Sequence, residues 1–378
     1  MRYIPILRFK QVELSILQSM RPTDLFPLLE IVDKKTFGSI GKVIDKFRGE
    51  IMVELPLYLT GRENKHFGNV MGILGEIDED TNPLRQAAFY KKHSDKAFIP
   101  VVSPSSTELL SYKDLLDGFS AIKNTFSRVA IRVFVTHTEI SQSNFNHIKN
   151  LLNNLREDDI VLLDVVQFDG VEAETLKNLH TLNTIIPQSL KDKTFVLNAF
   201  SPTSEWRVDV HHYAPLLTKM MNLSGFGDFA TIPRYESAGG GSSTTSIIRY
   251  FSPSDSNLVH FMSPDSFREA SKKLKSSKIW ATSISDGHVG SCPACKEVSQ
   301  KDTEWRTFWK VFRIKHHIFS VLTTIIQNMQ KYSNPQDLDI YGYDNISKKI
   351  SNVKSYDTYQ GLSPDSYFGV FKSPASQL

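Results

Sequence analysis

Cysteine is nearly absent from this chain: Cys292 and Cys295 are the only two in 378 residues. A pair this close in sequence is no disulfide framework for a secreted fold and agrees with a reducing compartment. A marked charge of either sign is missing too, with 44 basic against 41 acidic side chains and a net charge of +3. Such a balance does not indicate a nucleic-acid or membrane surface as partner. No stretch approaches the ~18 apolar residues of a membrane span. Arg8 and Lys10 follow so soon on the first apolar residues that no signal-peptide core fits there, so a cytoplasmic protein is expected. The Gly-x-Ser-x-Gly elbow, His-Glu-x-x-His, Gly-x-Gly-x-x-Gly and a P-loop are all absent. Common hydrolase, zinc-protease and nucleotide-binding readings therefore have no anchor.

What is present is apolar material in short runs. Hydrophobic residues make up 40% of the chain, with 24 Phe and 13 Tyr, enough to bury a sizeable core. Strand-length runs recur at 3–9, 26–32, 51–57, 97–102, 129–135, 160–166, 194–200 and 229–233. Near-continuous Val, Ile and Leu is the mark of strands covered on both faces, as in parallel sheets. Helical patterns fall between them, over 11–20, 37–47, 83–93, 107–119, 139–155, 171–182 and 204–223. Ser106-Thr107-Glu108 and Ser204-Glu205 supply helix-start chemistry. An open doubly wound sheet would give the same alternation, but the count of eight favours an α/β fold of TIM-like (β/α)8 barrel type.

The barrel is expected to span residues 1–330. A decorating insertion over 235–304, after strand eight, opens with the polar loop 237–246 and the apolar run 247–251. An amphipathic stretch over 305–329, with Trp309, Phe312, Ile318, Phe319, Leu322 and Ile326 on one face, supplies the last helix. Residues 331–378 read as an irregular polar tail.

Five of the runs carry a polar interruption: Glu30, Glu54, Arg132, Asp164 and Asn198. An unpaired charge facing the helix layer would cost several kcal/mol, so the lumen is the sensible place for these groups. There Arg132, with Arg8 or Lys10 and Arg249, would balance the carboxylates. Two readings stay open. The groups either form a catalytic constellation at the C-terminal strand ends, or an ion-pair network that fills the lumen and fixes barrel register. In the first, Glu30, Glu54 and Asp164 are catalytic acids, bases or metal ligands, and Arg132 and Lys10 hold an anionic substrate. Mg²⁺ would suit those oxygens.

The loops after strands seven and eight are where barrels often bind phosphate. Ser201-Pro202-Thr203-Ser204 stands in the first, and Arg234 with Gly239–Gly241 in the second, although a plain surface linker explains the glycine run as well. Cys292 and Cys295, with His288 or His316-His317, are candidate Zn²⁺ ligands, set against simple thiols. His211-His212 and His316-His317 are adjacent, not four apart, and so read as structural histidines.

Tyr3-Ile4-Pro5-Ile6-Leu7-Arg8-Phe9-Lys10-Gln11-x-Glu13, Pro27-Leu28-Leu29-Glu30-Ile31, Gly227-Asp228-Phe229-Ala230, Trp305 and His316-His317-Ile318 together resemble the beta protein family of bacteria and their phages. The resemblance runs to about residue 325. It implies a prokaryotic or phage setting, and from that a role in phage–host conflict, without implying a reaction. Lys10, Glu13, Glu30, Asp228, His316 and His317 match its recurring positions. Candidate ligand-binding residues are thus Lys10, Arg132, Asp228, Arg234 and Arg249. The expected function is antiviral defence through binding or processing of an anionic, phosphorylated ligand. The alternative is a scaffold that holds a protein partner through residues 237–301.

Overall fold

The computed structural model describes residues 1–9, 13, 15–17, 20, 25–33, 37–38, 40–47, 49–59, 66–75, 82–104, 112–136, 138–165, 173–198, 209–210, 214–230, 246–252, 257–263, 295, 314–319 and 321–322. Its barrel strands are β1 (Arg2–Arg8), β2 (Leu28–Glu30), β3 (Met52–Glu54), β4 (Ile99–Val102), β5 (Ala130–Val135), β6 (Ile160–Val165), β7 (Thr194–Leu197) and β9 (Gly225–Phe229). Each pairs in parallel with the next, and β9 pairs with β1, so the sheet is a closed eight-stranded barrel. Helices α1 (Ile40–Phe47), α2 (Phe67–Leu74), α3 (Asn82–Lys92), α4 (Tyr112–Ile122), α5 (Gln142–Asn153), α6 (Ala173–Ile185) and α7 (Ala214–Met220) lie between strands. The expected α/β barrel is therefore the fold. No described helix is long and apolar enough to cross a membrane.

Register fixes which residues share a level. From Arg8 the paired positions run through Glu30, Glu54, Val101, Ala130 and Ile160, and the registers of β7 and β9 continue the same drift, which amounts to a stagger of about eight residues around the barrel. Eight strands with that stagger rise one residue per strand, so inward side chains from alternate strands stack in layers. Nearest the C-terminal strand ends are Arg8 and Phe134. Beneath them lie Glu30, Ser103, Asp164 and Phe229, then Ile6, Glu54, Arg132 and Leu197. Lower layers are apolar, with Leu28, Val101, Leu162 and Gly227, then Ile4, Met52, Ala130 and Phe195. At the N-terminal rim charges return as Arg2, Glu50 and Arg128, which pair with one another.

The last barrel strand corrects the sequence reading, which set it at 229–233. Gly225-Phe226-Gly227-Asp228-Phe229 forms it, although it lacks an apolar run. Close approach is the reason. A Cβ on Gly225 would lie 1.9 Å from the Arg2 carbonyl oxygen, and one on Gly227 would lie 2.4 Å from that of Ile4. Barrel closure needs glycine at both places, so the strand trades hydrophobic pattern for contact.

Other differences are local. The helix expected over 204–223 is shorter, since Asp209–Val210 is strand β8 and only α7 follows. Helix α2 was not read at all. Strand β8 pairs antiparallel with β11 (Asn257–Ser263), which pairs with β10 (Ser246–Ser252), so two strands of a three-stranded sheet come from the stretch read as a decorating insertion. The tail at 331–378, the start signals at 106–108 and 204–205, and most of 305–329 lie outside the described residues. Of the expected last helix, residues 314–319 are helical, and Ile314 and Ile318 join the core.

Polar side chains from the helices hold the C-terminal strand ends. Tyr90 of α3 accepts from the Leu55 N–H at 2.9 Å and donates to the Val101 carbonyl at 2.7 Å. Four residues earlier, Gln86 donates to the Leu55 carbonyl and accepts from the Ser103 N–H. Tyr112 of α4 donates to the Phe134 carbonyl at 3.0 Å, and Asn178 of α6 to that of Thr136 at 2.9 Å. These bonds satisfy backbone groups that leave the ladder and fix the frame that carries the upper lumen.

Candidate functional site

Arg132 stands at the centre of the upper lumen, on the inward face of β5, with no exposure to solvent. Its Nε donates to Asp164 Oδ2 at 2.7 Å, and its Nη2 lies 2.6 Å from the same oxygen. Its Nη1 donates to Glu30 Oε1 at 3.2 Å and also to Glu54 Oε2. Three strands thus send a carboxylate to one guanidinium, whose rigid fork of donors suits that task better than a lysine would. The rings of Tyr58, Phe134 and Phe229 surround it, with centroids 5.0, 5.5 and 6.0 Å from Cζ. Each adds cation–π attraction in a fully buried site.

A second tier holds the carboxylates. Tyr58, on the turn Leu57–Leu59 that follows β3, donates to Glu30 Oε1. Arg8 Nε lies 3.7 Å from Glu30 Oε2. Asn198, just past β7, donates to Asp164 Oδ1 at 2.7 Å and accepts from the Phe229 N–H at 3.3 Å. Its backbone has φ of 59°, in the left-handed region that asparagine tolerates better than most residues. That conformation lets one half-buried side chain tie β6 to the end of β9.

Burial sets the electrostatics. It pushes the Glu54 carboxyl up to about 7; Arg132 opposes that shift, and the neighbouring Glu30 charge adds to it. The Tyr58 hydroxyl is pushed well above its ordinary range, first by burial and then by Glu30. Burial works against charge on Arg132, yet Glu54 and Asp164 hold it firmly protonated.

Of the residues picked from sequence, Glu30, Glu54, Arg132, Asp164 and Asn198 come together in this cluster. Asp228 does not. On β9 it alternates with Gly225 and Gly227, so it faces the helix layer. There it accepts from Tyr3 at 2.8 Å and lies 2.8 Å from His317 Nε2. The shifted strand explains the difference: a run starting at 229 left the facing of Asp228 undefined. Lys10, Arg234, Cys292, His211, His212 and His288 lie outside the described residues, as do the glycine run and the loop 201–205. Arg249 is placed on β10, away from the barrel strands in sequence order. Cys295 is buried. Among the described residues no group of three or more His, Cys, Asp or Glu side chains could hold a metal ion. In the lumen the reason is plain: a guanidinium occupies the point where the carboxylates converge. Tyr58 and Ser103 were missed, and neither an apolar Leu-Tyr-Leu turn nor a lone serine gives a sequence signal.

A family model described as Beta protein matches residues 3–323. None of the curated proteins matches the chain. Among solved structures, the carboxyl transferase domain from Rhizobium etli pyruvate carboxylase is similar at 10% identity, with a TM-score of 0.36. That match covers 100% of this chain, which spans 59% of the solved one.

Proposed function

Since the chain belongs to the Beta protein family, which points to a prokaryotic or phage protein, we propose that it acts in phage–host conflict by binding or processing an anionic, phosphorylated ligand at the C-terminal strand ends. One observation carries this reading. Charged side chains crowd the upper layers of the lumen, while the layers beneath are apolar. Barrel enzymes bind their ligands at that same end. Among the described residues Arg8, in the highest layer, is the cation nearest the strand ends, and a guanidinium is a natural partner for a phosphate oxygen. Arg132 is the post that orients the carboxylates, with Nε and Nη1 donating to them and Nη2 in ionic contact with Asp164.

Glu30→Gln and Asp164→Asn, made singly, each leave Arg132 two carboxylates and should fold. Cells expressing the wild-type chain should plate a susceptible phage less efficiently than cells expressing either variant at equal level. Equal protection by a folded variant would remove these carboxylates from the function. Protection by none of the three proteins would remove the defence role.

A further inference from the structure

Three carboxyl groups, Glu30, Glu54 and Asp164, meet two guanidinium groups, Arg8 and Arg132, and none of the five side chains is more than 1% exposed. Two of the carboxyls, on Glu30 and Glu54, share the single Nη1 of Arg132. A buried cluster relieves such crowding of like charge by holding a proton. The donors decide where. Asp164 is bonded on both oxygens, by Arg132 and Asn198. Glu30 takes Arg132 and Tyr58 on Oε1 and has Arg8 beside Oε2. Glu54 takes Arg132 on Oε2, while its Oε1 makes no hydrogen bond of normal geometry and has the neutral Ser103 hydroxyl as a weak neighbouring donor.

We propose that Glu54 is the proton-binding group of this site, and that an anion arriving at the strand ends draws a proton onto its Oε1. The groups that face Glu54 are Glu30 from β2, Ser103 just past β4 and Arg132 from β5, with Tyr58 and Tyr90 behind them. Both Glu30 and Glu54 bond the same Nη1, so ionising Glu54 sets two like charges on one donor. A carboxyl held up to about 7 by burial agrees with this placement. For each anion bound by the ionised form, one proton leaves solvent and adds to Glu54, and it returns when the anion leaves. The anion half rests on the function proposed above. The proton half stands without it, and the two are tested apart.

The first test compares thermal unfolding of wild type and Glu54→Gln between about pH 5 and about pH 9. A carboxyl raised by folding gives stability that is present in acid and lost as pH rises through about 7. The two proteins should unfold alike in acid, and above neutrality Glu54→Gln should unfold several degrees higher. Parallel curves at every pH would overturn the proposal. If Glu54→Gln does not fold, infrared spectra of the wild type decide instead. A protonated carboxyl band should be present in mild acid and lost in mild alkali, and its absence at both would overturn it. The second test is calorimetry of inorganic sulfate binding in two buffers of different ionisation enthalpy. Wild type should take up a proton near neutrality and Glu54→Gln should not. Binding by both without uptake overturns the linkage. No sulfate binding by either overturns the anion reading, while the pH comparison still decides Glu54.

Discussion

The barrel carries an arginine–carboxylate cluster at each end of its lumen, and the two differ in almost everything except residue type. At the N-terminal rim Arg2 and Arg128 both reach Glu50, with side-chain exposures of 35%, 21% and 48%. At the C-terminal end Arg132 meets Glu30, Glu54 and Asp164 at zero exposure. Water screens the first cluster. The second lies where an unmatched charge is costly, so every donor and proton there has to be placed. The same side chains thus act as surface ion pairs at one end and as a tuned constellation at the other, and burial makes the difference.

Three substitutions bear on that contrast. Arg132→Leu strands three buried carboxylates and should cost about 3–5 kcal/mol at neutral pH, read by urea unfolding. Part of the loss should return on acidification, because protonated carboxyls no longer need the cation. Stability unchanged across pH would mean that the upper cluster behaves like the rim. Arg8→Gln leaves Glu30 its bonds from Arg132 and Tyr58, and a loss of roughly 1–3 kcal/mol is expected for one buried charged partner. Glu50→Gln should change stability by less than about 1 kcal/mol, and less still in high salt. A larger effect there would erase the distinction between the ends.

The upper cluster was legible because of where its members fall in the sequence. A charge inside a Val, Ile and Leu run covered by helices has only the lumen to enter, and Glu30, Glu54, Arg132 and Asp164 obey that rule together. Depth was not legible. It depends on the stagger between strands, which register alone reveals, and register puts these residues in the two layers beneath Arg8 and Phe134. The eighth strand was misplaced for a different reason: Gly225 and Gly227 are selected by backbone contact with β1, and hydrophobic pattern carries no trace of that. Asp228, picked because it matches a recurring position of the family resembled, has its hydrogen bonds with Tyr3 and His317 on the opposite face of the sheet. The sheet of β8, β10 and β11 escaped notice because β8 is two residues long and Arg249 and His260 break the apolar runs of the other two.

The central claim is that the buried end receives an anion and the exposed end does not. Thermal-shift titration of wild type, Arg8→Gln and Glu50→Gln with a panel of phosphorylated small molecules tests it most directly. At least one compound should raise the unfolding temperature of wild type and Glu50→Gln by the same amount, with the shift lost in Arg8→Gln. An equal shift in all three proteins, or a shift lost only in Glu50→Gln, would contradict the account.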